Sequence, residues 1–141
     1  MSNTSLQHDA LLKSAKRSIY PTRFVFNVLT ITGSNQELKR FRKFCQGIDS
    51  RTGGGIGDFN HLCFDTIIPL GGIRGINIFE LEDLRQQVWG CPSVAHGVSV
   101  KQTSHLLRFS FTTFENGPRF ILQKLREEFS SLSLEIDAKH Q

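Results

Sequence analysis

Residues 105–137 confine this chain to few folds. Leu107, Phe109 and Phe111 alternate along one face of a strand. Gly117-Pro118 follows, and proline suits the start of a helix, where its missing N–H costs nothing. Ile121, Leu122, Leu125 and Phe129 then fall on one helical stripe. After Ser130-Ser131, Leu132, Leu134 and Ile136 resume a period of two. A strand–helix–strand unit of this kind cannot bury its own apolar surface, so the rest of the chain must supply a partner.

The preceding residues read as that partner. Arg23 to Thr32 forms a strand with apolar residues on both faces, Val25, Leu29 and Ile31 on one and Phe24, Phe26 and Val28 on the other. Two apolar faces mark a central strand. Ser34 and Glu37 have the spacing of a capping box, and Leu38, Phe41, Phe44 and Cys45 make the stripe of a helix that stops at Gly47. Residues 48–60 read as a glycine-rich loop and 61–70 as a short extended piece stopped by Pro69. Asn77 and Glu80 repeat the cap spacing ahead of a short helix ending near Trp89-Gly90. Val94, Val98 and Val100 alternate in a further strand.

Set aside 48–91 as an insertion, and the order is β-α-β-β-α-β. The fold class expected is α+β, a ferredoxin-like four-stranded antiparallel sheet with two helices on one face. The domain would span 23–138, with the strands at 23–32 and 106–112 central, after a polar, basic leader at 1–22. At 141 residues the chain is long enough for a sizeable core. No apolar run approaches membrane-spanning length, and the front lacks a secretory signal. Three widely spaced cysteines argue against a disulfide framework, so a reducing, cytoplasmic setting is expected.

Several segments resemble the YubB ferredoxin-like family of phage- and plasmid-borne proteins. The family's Asn-x-Leu-Thr-Ile-x-Gly is matched by Asn27 to Gly33, its Arg-Phe-x-x-Phe by Arg40 to Phe44, and its Phe-x-x-Ile-Ile-Pro by Phe64 to Pro69. Its Trp-Gly is matched by Trp89-Gly90, and its last piece by Phe109 to Thr113 and the helix up to Phe129. The chain departs from the family at Cys91 to Val94, where Thr-Lys-Trp-Asp is usual, and at Phe114, where tryptophan is usual. The resemblance implies the ferredoxin-like fold and a mobile-element origin. It brings no established reaction.

Little in the chain points to catalysis. His61 with Cys63, and Cys91 with His96, lack the close paired spacing of a zinc site, so no metal and no cofactor are expected. Cys91 follows a helix C-terminus, which disfavours a thiolate. The glycines at 53–57 follow a helix and precede no Lys-Ser/Thr pair, so they do not read as a phosphate loop. A non-catalytic module binding a macromolecule is the leading expectation, with an enzyme of unidentified chemistry behind it.

Three surfaces are candidates. Residues 1–47 hold eight Lys and Arg against two acids, whereas 48–91 hold three against six. Within the basic front, Lys39, Arg40, Arg42 and Lys43 form a helix face that could contact phosphates. Phe24, Phe26 and Arg108 would share the sheet face away from the helices, an arrangement that stacks bases. Against this, Phe59, Leu62, Phe64, Ile67 and Leu70 of the insertion need burial, and covering Phe24 and Phe26 is the favoured expectation. The strand of Val94, Val98 and Val100 would be a sheet edge, open to a strand from a protein partner or a second copy. A protein partner is expected ahead of nucleic acid, and no membrane.

Overall fold

The computed structural model describes residues 23–49, 57–71 and 75–140. The leader at 1–22 and the glycines at 53–55 lie outside these residues. The molecule is α+β, with one four-stranded antiparallel sheet, a small two-stranded one and four helices among the described residues.

β1 (Phe24–Thr32) is the spine of the large sheet. It pairs antiparallel with β5 (Leu106–Phe114) from Phe24↔Phe114 to Thr32↔Leu106. On its other side it pairs antiparallel with β6 (Ser133–His140), from Val25↔His140 to Thr32↔Ser133. β4 (His96–Gln102) completes the sheet beside β5, giving the order β4-β5-β1-β6. The two strands expected at the centre are therefore neighbours.

One face of this sheet is covered along its central strands. α1 (Asn35–Cys45) and α4 (Arg119–Glu128) turn Leu38, Phe41, Ile121 and Leu125 into a core shared with Leu29, Ile31, Phe109 and Phe111. Phe41 meets Phe129 edge-on at 4.9 Å and Phe109 at 6.4 Å. Ser34 caps α1 by accepting from the Glu37 N–H. The Glu37 carboxylate does not complete the box; it takes Arg40 and the Ser131 hydroxyl instead. α1 passes straight into β2 (Gly47–Asp49) through an extended Gln46, so Gly47 is not its stop.

The insertion departs from expectation in three ways. β2 pairs with β3 (Asp58–Asn60), so the two ends of the stretch expected as a loop, 48–60, form a small hairpin. The piece expected to be extended contains a helical turn, α2 (Phe64–Ile67). Above all, most of the residues expected to be buried join the helical layer, although Phe59 is 55% exposed. Leu62, Phe64, Ile67 and Trp89 belong to the same core as Phe111, and Phe64 packs edge-on against both Trp89 and Phe111.

α3 (Ile78–Trp89) begins with a complete capping box at Asn77 and Glu80 and ends at Gly90. Gly90 takes φ +92°, and a Cβ there would stand 2.9 Å from the Arg119 nitrogen. The Trp-Gly pair thus has a packing role. Trp89 donates its indole N–H to the Ile68 carbonyl, and Gly90 lets the chain lie against the start of α4.

Candidate nucleic-acid interface

Residues opposite one another in paired strands share a face, so register maps the face away from the helices. On β1 it carries Phe24, Phe26, Val28 and Thr30, opposite Phe114, Thr112, Ser110 and Arg108 of β5. β6 adds Lys139, Asp137 and Glu135 opposite Phe26, Val28 and Thr30. β4 adds Ser99 and Lys101 opposite Ser110 and Arg108.

Phe24 and Phe26 are 45% and 39% exposed, so the insertion does not cover them. That expectation is overturned. Both sheet faces carry apolar residues, but the larger apolar content of the insertion packs where α1 and α4 already provide a wall. Phe114 stands edge-on to Phe24 at 5.4 Å, and the His96 ring stacks on Phe114 at 5.1 Å. An aromatic strip therefore crosses β1, β5 and β4 at one end of the face. At the other end Arg108 reaches the Thr30 hydroxyl at 3.4 Å and lies beside Lys101. Phe24, Phe26 and Arg108 do share a face. Phe114 and His96 were missed, although Phe114 follows the alternation of Arg108, Ser110 and Thr112.

The basic helix face divides. Lys39, Arg42 and Lys43 line a concavity of about 430 Å³ with Gln46 and Gln102, where Arg42 donates to the Gln102 side chain at 2.8 Å. Arg40 points elsewhere, pairing with Glu37 at 3.1 Å and lying 4.2 Å above the Phe129 ring. The three-residue step from Glu37 to Arg40 favours that pair, so the four cations are not one patch.

β4 is a sheet edge, as expected, but Val94 precedes the strand. Val94, Val98 and Val100 are all half-buried and pack against the core. The pairing with β5 is irregular between His96 and Ser99, where Gly97 takes φ +60°.

A polar cluster invisible in the sequence lies where the hairpin, α3 and the start of β4 meet. Asn60 donates to Asp49 at 2.8 Å and to the Ala95 carbonyl at 2.9 Å, and the Cys63 thiol approaches Asp49 at 3.4 Å. Burial pushes the Asp49 carboxyl up, with Asn60, Cys63, Arg85 and His96 opposing. Burial holds His96 below its ordinary value; Asp49 pulls it up and Arg85 pushes it further down. The Arg85 Nε is buried with no hydrogen-bond partner. Burial raises all three thiols, Cys91 to about 12, so none is poised as a thiolate.

A second concavity, about 460 Å³, lies between the end of α3, the start of α4 and β6. Its cations are engaged: Arg126 donates to the Leu134 carbonyl, and Arg119 lies over Phe120. Among the described residues, no three His, Cys, Asp or Glu are grouped to hold a metal, and no helix is long and apolar enough to cross a membrane.

No protein-family model, curated protein or solved structure matches this chain.

Proposed function

We propose that this chain is a non-catalytic binding module of split-βαβ, ferredoxin-like build, and that its ligand is a single-stranded nucleic acid laid across the exposed sheet face. The strand order supports the build: in chain order the four long strands run second, third, first, fourth across the sheet, with a helix after the first and third. The motif resemblance to the YubB family, and with it a mobile-element origin, belongs to the same proposal.

The exposure of Phe24 and Phe26 on a central strand carries the functional reading. Such rings lose hydrophobic free energy by facing water and gain it back when a base stacks on them. Arg108 and Lys101, at the other end of the same face, offer charge to phosphates. This places nucleic acid ahead of the protein partner that the sequence-based reading preferred on the edge strand and the family resemblance. Phe24→Ala with Phe26→Ala should weaken binding of an oligothymidylate of about twelve nucleotides by about 1–3 kcal/mol per lost stack, read by fluorescence anisotropy. Unchanged affinity would refute the platform.

The edge at β4 supports a second reading, a strand added by a protein partner or a second copy. Because Val98 and Val100 turn toward the core, main-chain hydrogen bonds would supply the affinity. A protein complex lost on Ser99→Pro, together with no oligonucleotide binding at low salt, would establish that reading instead.

A further inference from the structure

The two basic regions that look separate in the sequence meet at the β4 edge. Lys101 lies on the exposed sheet face opposite Arg108. The next residue, Gln102, turns the other way and holds Arg42 in the concavity with Lys39 and Lys43. Adjacent strands are about 4.8 Å apart. Arg108, Lys101, Gln102, Arg42, Lys39 and Lys43 therefore form a continuous run from the middle of the sheet, over its edge, to α1.

The opposite edge has the other charge. The register row that begins with Lys101 and Arg108 continues through Thr30 to Glu135, and the next row ends at Asp137. Lys139, the cation on that strand, lies 3.8 Å from Asp137. Across a single row the face passes from two cations to a carboxylate. Where a phosphate backbone runs on from the aromatic strip to these rows, it is drawn toward β4 and repelled from β6.

We propose that a nucleic-acid strand bound on the sheet face leaves it over the β4 edge and continues into the α1 concavity, so that Lys39, Arg42 and Lys43 contact its phosphates. This rests on the platform reading above and adds a direction and a footprint to it. It also makes the β4 edge unavailable to a protein strand while nucleic acid is bound.

The test compares oligothymidylates of about four and about twelve nucleotides, the first able to occupy only the platform, the second long enough to round the edge. Affinity is read by anisotropy across a salt series, with folding of each variant checked by thermal melting. With Lys39→Gln, Arg42→Gln and Lys43→Gln together, the longer oligonucleotide should bind at least about tenfold more weakly. The slope of log affinity against log salt should shrink by about two, three phosphate contacts at roughly 0.7 each. The shorter one should be unaffected. Lys39→Gln with Lys43→Gln keeps the Arg42–Gln102 bond and should reduce the slope by more than about one. A slope unchanged in both variants overturns the edge path and leaves the platform standing. Failure of either oligonucleotide to bind the unmodified protein, or to respond to loss of Phe24 and Phe26, overturns the platform reading and the path with it.

Discussion

β1 presents two faces of similar hydrophobicity and opposite fate. Val25, Leu29 and Ile31 are buried, the latter two in the core under α1, α4 and the insertion, whereas Phe24 and Phe26, on the same strand, stay in contact with water. Side-chain chemistry does not separate the two sets. What separates them is where the remaining apolar mass went. Twelve phenylalanines in the chain allow more than one covering arrangement, and the connections put α1 and α4 on one side. Once that side holds a wall, Leu62, Phe64 and Trp89 gain more by thickening it than by building a second layer alone.

The sharpest way to break the contrast is a pair of matched truncations. Phe109→Ala, on the covered face, should cost about 3–5 kcal/mol, because it removes a fully buried ring and leaves a cavity. Phe26→Ala, on the exposed face, should change stability by no more than about 0.5–1 kcal/mol. Chemical denaturation of both variants reads the difference. Equal losses would mean that the exposed face is covered after all.

A smaller effect comes from the polar seam beneath the covered layer. Asn60 bonds Asp49 and the Ala95 carbonyl while its own carbonyl takes the Leu62 N–H. Asn60→Ala leaves those groups unpartnered and should cost about 1–3 kcal/mol in the same experiment. A neutral result would show that water substitutes freely there, and that the seam is open rather than closed.

The smallest effect concerns His96, which touches both regions through Phe114 on the exposed face and Asp49 and Arg85 below. Its folded-state pKa lies below 6.5. The unfolded chain therefore binds the proton more readily. The stability that neutral His96 contributes is present above the ordinary histidine value and is lost as pH falls through the lowered one. Asp49, raised above 3.8, acts oppositely at more acid pH, because the fold favours its protonated form. Stability measured between about pH 7.5 and 5.5 should decline in the native protein, and His96→Gln should flatten that decline. A decline of equal size in the variant would assign it to other groups.

Much of the architecture was legible because periodicity is local. Leu107, Phe109 and Phe111, the Ser34 cap and the Asn77–Glu80 box each follow from residues within one turn or one strand. The misreadings share a cause in short elements. α2 has four residues and β2 and β3 three each, too few for a period to register. The basic face was half legible: composition located the charges and the Glu37–Arg40 pair is local, but the stacking of Arg40 over Phe129, far along the chain, is not. Asp49, Asn60, Arg85 and His96 carry no joint signal, since they meet only through packing of the insertion on β4.

By itself, the sequence determined which residues of each strand and helix point together, because that depends on backbone repeats of 2 and 3.6 residues. Tertiary structure alone decided which of two apolar sheet faces received the insertion, and so left Phe24 and Phe26 exposed on the face they share with Arg108. The hydrophobic effect rewards buried area without regard to direction. With greasy residues on both faces of β1, only chain connectivity and the fit of Leu62, Phe64 and Trp89 against the helices chose between them.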